Sequence, residues 1–185
     1  LRPCFVDNLT CLKKLVVGAQ SLKYIQLDSC TSLEDLEIGE CGRLITLEGM
    51  QSLRSLELNR NSRLKSLQLN SCTALEHLAI FDCSSLVALE GLRSLVNLRH
   101  LTVFSQPAWA VTTFGESYEL TDRIFPRLES LTISELSRLT TSFCKHLTSL
   151  QRLQLQDLSK EMTRLTEEQE GALVLLKSLQ ELQFY

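Results

Sequence analysis

The stretch "LKSLQLNSCTALEHLAIFDC", residues 64–83, sets leucine, leucine and an aliphatic residue into one frame twice, and closes each frame with cysteine. Residues 22–41, "LKYIQLDSCTSLEDLEIGEC", repeat it at a constant offset of 42 positions, linking Cys30 to Cys72 and Cys41 to Cys83. The match continues through "LITLEGMQSL" (44–53) against "LVALEGLRSL" (86–95). Self-similarity at a fixed period marks a stacked architecture, in which each unit buries its apolar face against the next.

Such frames recur about every 11 residues, which is half of a repeat with one strand per turn, so alternate frames must be the return of each coil. Gly49 and Gly91 place the "LEGM" and "LEGL" frames on the return, because a strand interior needs side chains. Strands are therefore expected on 12–17, 33–38, 53–58, 75–80, 98–103, 128–133, 150–155 and 179–184. The steps between their first leucines are 21, 20, 22, 23, 30, 22 and 29 residues, a leucine-rich-repeat spacing with two long steps. The fold class read from this is α/β: a single leucine-rich-repeat solenoid of eight coils over residues 1–185. Short parallel strands line its concave face, and loops, 3-10 turns and one helix its convex face.

Leucine fills 40 of 185 positions and aromatic residues only 6%, a core of one interchangeable side chain in register. In each frame the three aliphatic residues point inward and the alternate ones outward. The ninth position, Cys41, Asn61 and Cys83, turns back into the coil and must satisfy buried backbone groups. Cysteine there is a small buried residue with weak hydrogen-bonding capacity, and Cys30 and Cys72 hold the same place in the return frames. Further along, the ninth positions become Leu136 and Leu158, predicting less regular coils. In the last long step, 159–178, Thr166 and Gln169 form a capping-box pattern. Ala172, Leu173, Leu175, Leu176 and Leu179 follow at helical spacing. The other long step holds an insertion, 105–127, with Trp109, Phe114 and Tyr118 among its residues.

A net charge of −3 and a pI near 5.7 supply no basic field for nucleic acid or an anionic membrane. Seven cysteines without a CxxC spacing fit neither a complete disulfide framework nor a common zinc pattern, and point to a reduced cytoplasmic or nuclear setting. There is no GxxxxGK[ST], GxGxxG or GxSxG motif. No catalytic residue, metal ligand or cofactor is expected. His77 and His100 stand at equivalent positions of neighbouring strands, about 5 Å apart, yet lack an acidic orienting partner. Asp35, Glu37 and Glu57 are carboxylates on an open surface.

What remains is the wall. Outward residues of eight strands span about 34 Å at roughly 4.8 Å per strand, the size of a protein interface. Its early part gathers Glu34, Asp35, Glu37, Glu40 and Glu57, edged by Lys13, Lys14, Arg54 and Arg60. Its middle carries His77, Phe81, His100 and Phe104. Exposed aromatics ringed by charge are interface composition, so the expected protein-binding residues are Glu37, Glu57, His77, Phe81, His100, Phe104 and, closing over them, Trp109; the alternative is that the insertion covers Phe81 and Phe104, which then only anchor it.

The frames at 33–41 and 75–83, the segment "SLVALEGLRSLVNLRHLTV" (85–103) and the closing "LTEEQEGALVLLKSLQELQF" (165–184) resemble the C-terminal leucine-rich repeats of plant intracellular nucleotide-binding immune receptors of the coiled-coil, cereal-like type. The resemblance implies a cytoplasmic or nuclear recognition module. It would sense a pathogen effector directly or through a guarded host protein, and would contact the receptor's own nucleotide-binding module to hold it inactive. No cofactor, nucleic acid or membrane partner is implied. Without polar terminal caps of the kind repeat arrays carry, the chain is expected to be part of a larger receptor. The alternative is the substrate-recognition repeats of an F-box ubiquitin-ligase adaptor.

Overall fold

The computed structural model describes residues 4–5, 9–104, 124–134, 139–156 and 164–185. Among them, eight parallel strands form the concave sheet: β2 (Lys14–Val17), β4 (Asp35–Gly39), β6 (Ser55–Asn59), β8 (His77–Phe81), β10 (His100–Phe104), β11 (Ser130–Ile133), β12 (Arg152–Leu155) and β13 (Glu181–Phe184). Their order in space is their order in sequence, β13-β12-β11-β10-β8-β6-β4-β2. All eight lie on the frames expected for them, each beginning two residues after the frame's first leucine, and β4, β6, β8 and β10 run one residue past the expected end.

The reason for that offset is a turn. The first leucine of each frame donates its N–H to the carbonyl three residues earlier, as in Leu33 to Cys30 (3.0 Å), Leu75 to Cys72 (3.2 Å) and Leu150 to Leu147 (3.3 Å). The chain straightens only after it. At the point of straightening, one carbonyl of the preceding coil accepts two N–H groups of the next: Lys13 from Glu34 and Asp35, Glu34 from Arg54 and Ser55, and Arg54 from Glu76 and His77. The strands that follow are in register, so Leu36, Leu56, Leu78, Leu101, Leu131 and Leu153 stack as one buried column. Each fully buried leucine contributes about 1.5–3 kcal/mol relative to exposure.

The convex face departs from expectation. It carries strands as well as turns: β1 (Cys4–Phe5), β3 (Tyr24–Gln26) and β5 (Thr46–Glu48) in one sheet, and β7 (Ser66–Gln68) with β9 (Ala88–Glu90) in another. The return frames have the same alternation as the concave ones, with Ile25, Leu47 and Leu67 pointing inward. Glycine cuts β5 and β9 short. Gly49 and Gly91 adopt φ of 80° and 82°, and each lies against the backbone of the coil before it.

Two helices lie on the return side, one in the 22-residue coil after β11 and one in the long last coil. In α1 (Thr141–Cys144) the Thr140 hydroxyl accepts from Phe143 N at 3.2 Å. In α2 (Glu167–Val174) the expected capping box forms, with Gln169 N donating to the Thr166 hydroxyl at 3.3 Å and Thr166 N to Gln169 Oε1 at 2.8 Å. The two helices pack together. Ala172 and Leu176 are buried, whereas Leu175, expected on the apolar stripe, is turned to solvent where the helix ends. Trp109, Leu136 and Leu158, and most of the 105–127 insertion, lie outside the described residues.

Candidate functional site: the concave wall

The ninth positions behave as coil closures. Cys41, Asn61 and Cys83 are fully buried. Asn61 Nδ2 donates to Ile38 O at 2.9 Å, and the thiols lean on carbonyls more weakly, Cys41 Sγ on Gly39 O at 3.5 Å and Cys83 Sγ on Phe81 O at 3.4 Å. Burial pushes the Cys83 thiol up, the Cys72 thiol to about 11 and the Cys144 thiol to about 12. A buried thiol held protonated in this way is a poor nucleophile. Among the described residues no three His, Cys, Asp or Glu side chains are grouped to hold a metal ion. Nor is any helix there long and apolar enough to cross a membrane.

The rim where the strands begin neutralises its own charge, and the rim where they end does so in part. Where the strands begin, Lys13, Glu34, Arg54, Glu76, Arg99 and Glu129 alternate in sign from coil to coil. Glu34 meets Lys13 and Arg54, each at 3.9 Å, Arg54 meets Glu76 at 3.1 Å, and Arg99 pairs with Glu129. Where the strands end, Arg60 bridges Glu40 at 2.9 Å and Asp82 at 3.9 Å. These exposed pairs contribute about 0–1 kcal/mol each. Their effect is to leave the starting rim without net charge, while Glu40, Arg60 and Asp82 leave the other rim with one surplus carboxylate.

The inner wall is different. Glu37 stands directly across from Glu57 in the β4–β6 register, with Asp35 two residues before Glu37. None of the three makes an ion pair among the described residues, although Lys14 lies opposite Asp35. Like charges directly opposed across strands are unfavourable, so Glu37 and Glu57 give this part of the wall negative charge that no ion pair among the described residues offsets.

Register brings the other expected residues together in pairs. His77 and His100 stack with ring centroids 4.5 Å apart and planes 6° from parallel. Phe81 and Phe104 stack at 5.4 Å and 14°. Both phenyl rings are half-buried. The His100 imidazole is held below its ordinary range, first by burial and then by the adjacent His77, with Arg152 and Arg99 adding to this and Glu129 opposing it.

Between the two stacks lies a feature that the sequence did not single out. Ala79 and Thr102, opposite each other in register, are the outward residues between the histidines and the phenylalanines. Both are small, so the surface sinks there. The imidazoles and phenyls, four residues apart on each strand, form walls about 13 Å from each other at the backbone. The same row runs toward β4 over Glu57 and Glu37, and toward β13 over Thr132, Gln154 and Gln183. The last three are linked: Thr132 Oγ1 donates to Gln154 Oε1 at 3.1 Å, and Gln154 Nε2 to Gln183 Oε1 at 2.9 Å. Alternating exposure along each strand predicts which residues face out, but only the register shows that two small ones coincide between ring pairs. The chain matches no protein-family model, and no curated protein matches it in sequence.

Proposed function

We propose that this chain is a protein-recognition module acting by binding, and that it serves as the repeat region of a plant intracellular nucleotide-binding immune receptor. The observation that supports a binding role is the inner wall. It is an open parallel sheet whose starting rim is self-neutralised, while its face keeps unpaired carboxylates beside stacked aromatic rings. Aromatic centres with selective charge around them are interface composition. The resemblance of segments 33–41, 75–83, 85–103 and 165–184 to that receptor group supports the biological setting.

In this reading a pathogen effector or a guarded host protein docks across β6 to β10, touching Phe81, Phe104, His77 and His100. The carboxylates Glu37 and Glu57 meet a basic surface of the receptor's nucleotide-binding module and favour its inactive state. A ligand shifts that balance only through different affinity for the two states. The test is a leaf cell-death assay on the full receptor. Phe81→Ala with Phe104→Ala should abolish effector-triggered death while the protein still accumulates, and Glu37→Lys with Glu57→Lys should give death without effector. Unchanged responses from both variants would refute the proposal.

A further inference from the structure

The row of residues between the ring stacks has the form of a track. At the β4–β6 end Glu37 and Glu57 are unpaired and directly opposed. In the middle, Ala79 and Thr102 form a floor between stacked imidazoles on one side and stacked phenyls on the other. Beyond it, Thr132, Gln154 and Gln183 are joined side chain to side chain, and Gln154 keeps a second amide N–H. The track is open along its length, as suits a chain lying across the strands better than an enclosed small molecule. Its negative end repels phosphate, which argues against lipid headgroups and nucleic acid.

We propose that this trough receives an extended peptide segment whose basic side chain reaches Glu37 and Glu57 and whose apolar side chain inserts between the imidazole and phenyl walls. Charge complementarity selects the first side chain, and the slot over Ala79 and Thr102 selects the second. Glu57 is one strand from Ala79 and two from Thr102, about 5–10 Å, so the two side chains stand about two or three residues apart in an extended segment. The inference rests on the wall being a binding face, and adds the chemistry of what it binds.

The experiment is an array of immobilised short peptides probed with the chain and two outward-facing variants, each checked by its thermal midpoint to be folded. The peptides pair one arginine with one leucine or phenylalanine at close or long spacing, with glutamate counterparts. The chain should retain the basic peptides of close spacing. In solution, Glu37→Lys with Glu57→Lys should bind those peptides about tenfold more weakly, a loss of about 1.4 kcal/mol. Ala79→Trp, which fills the slot, should lose them. Retention of peptides of another composition, lost in Ala79→Trp, overturns this inference and leaves the binding face standing. Retention indifferent to all three substitutions, or no retention of any peptide, overturns the inference and counts against the wall as a peptide-binding face.

Discussion

Replacing Gly91 with alanine tests the stacking of coils at one atom. Gly91 sits at φ 82°, where an L side chain is strained by roughly 1–2 kcal/mol. A Cβ there would stand 2.6 Å from Asn70 Cα and closer still to Asn70 N, both in the preceding coil. That neighbour is backbone, so it cannot rotate away, and forced backbone shifts in a packed interior cost about 1–3 kcal/mol. Together the loss is about 3 kcal/mol, a large share of the 5–15 kcal/mol that holds a typical domain folded. For a chain of this size it lowers the thermal midpoint by about 6–12 °C. Gly39→Ala is the matched control, because its Cβ would meet nothing within 4 Å and its φ is ordinary. It should be neutral or raise stability by about 0.4–1 kcal/mol, through a less free unfolded chain. Urea titration followed by circular dichroism reads both. A Gly91→Ala midpoint indistinguishable from that of Gly39→Ala would refute the close coil-to-coil approach.

Asn61→Ala should cost about 1–3 kcal/mol, because the Ile38 carbonyl loses its donor in a fully buried site. Asn61→Cys, copying its neighbours at positions 41 and 83, should recover part of that in the same titration. His100, held low by burial and by His77, binds its proton less readily folded than unfolded. Its contribution is therefore nil above the ordinary value of 6.5 and becomes destabilising as pH falls through it, levelling once the folded group also protonates. Thermal midpoints from pH 8 to pH 5 should fall less steeply in His100→Gln, and an unchanged slope would remove His100 as a cause. Cys72 and Cys144, buried and raised to about 11 and about 12, should resist a thiol reagent at pH 7.5 until the chain unfolds. Mass spectrometry that finds either labelled in native protein would contradict their place in the core.

The solenoid was legible because leucine spacing and pleating have a simple relation, and the phase was legible because Gly49 and Gly91 tolerate what a strand interior does not. The convex strands were not, since a return frame and a strand frame share one alternation and only pairing tells them apart. The four-residue α1 lacks the length for a periodic signal, and its start at Thr140 shows only in the hydrogen bond to Phe143. The ring pairs His77–His100 and Phe81–Phe104 could be anticipated from equivalent positions in neighbouring frames. The trough between them could not, because Ala79 and Thr102 are unremarkable one at a time. Likewise, the rim ladder from Lys13 to Glu129 joins residues 20 to 30 positions apart in sequence, and its neutrality is what isolates Asp35, Glu37 and Glu57.

Amide hydrogen exchange on the chain with and without its bound protein partner measures the wall's role most directly. Protection gained at 55–59, 77–81 and 100–104, with the convex segments 24–26, 46–48, 66–68 and 88–90 unchanged, is the result the account predicts. Protection confined to those convex segments would contradict it.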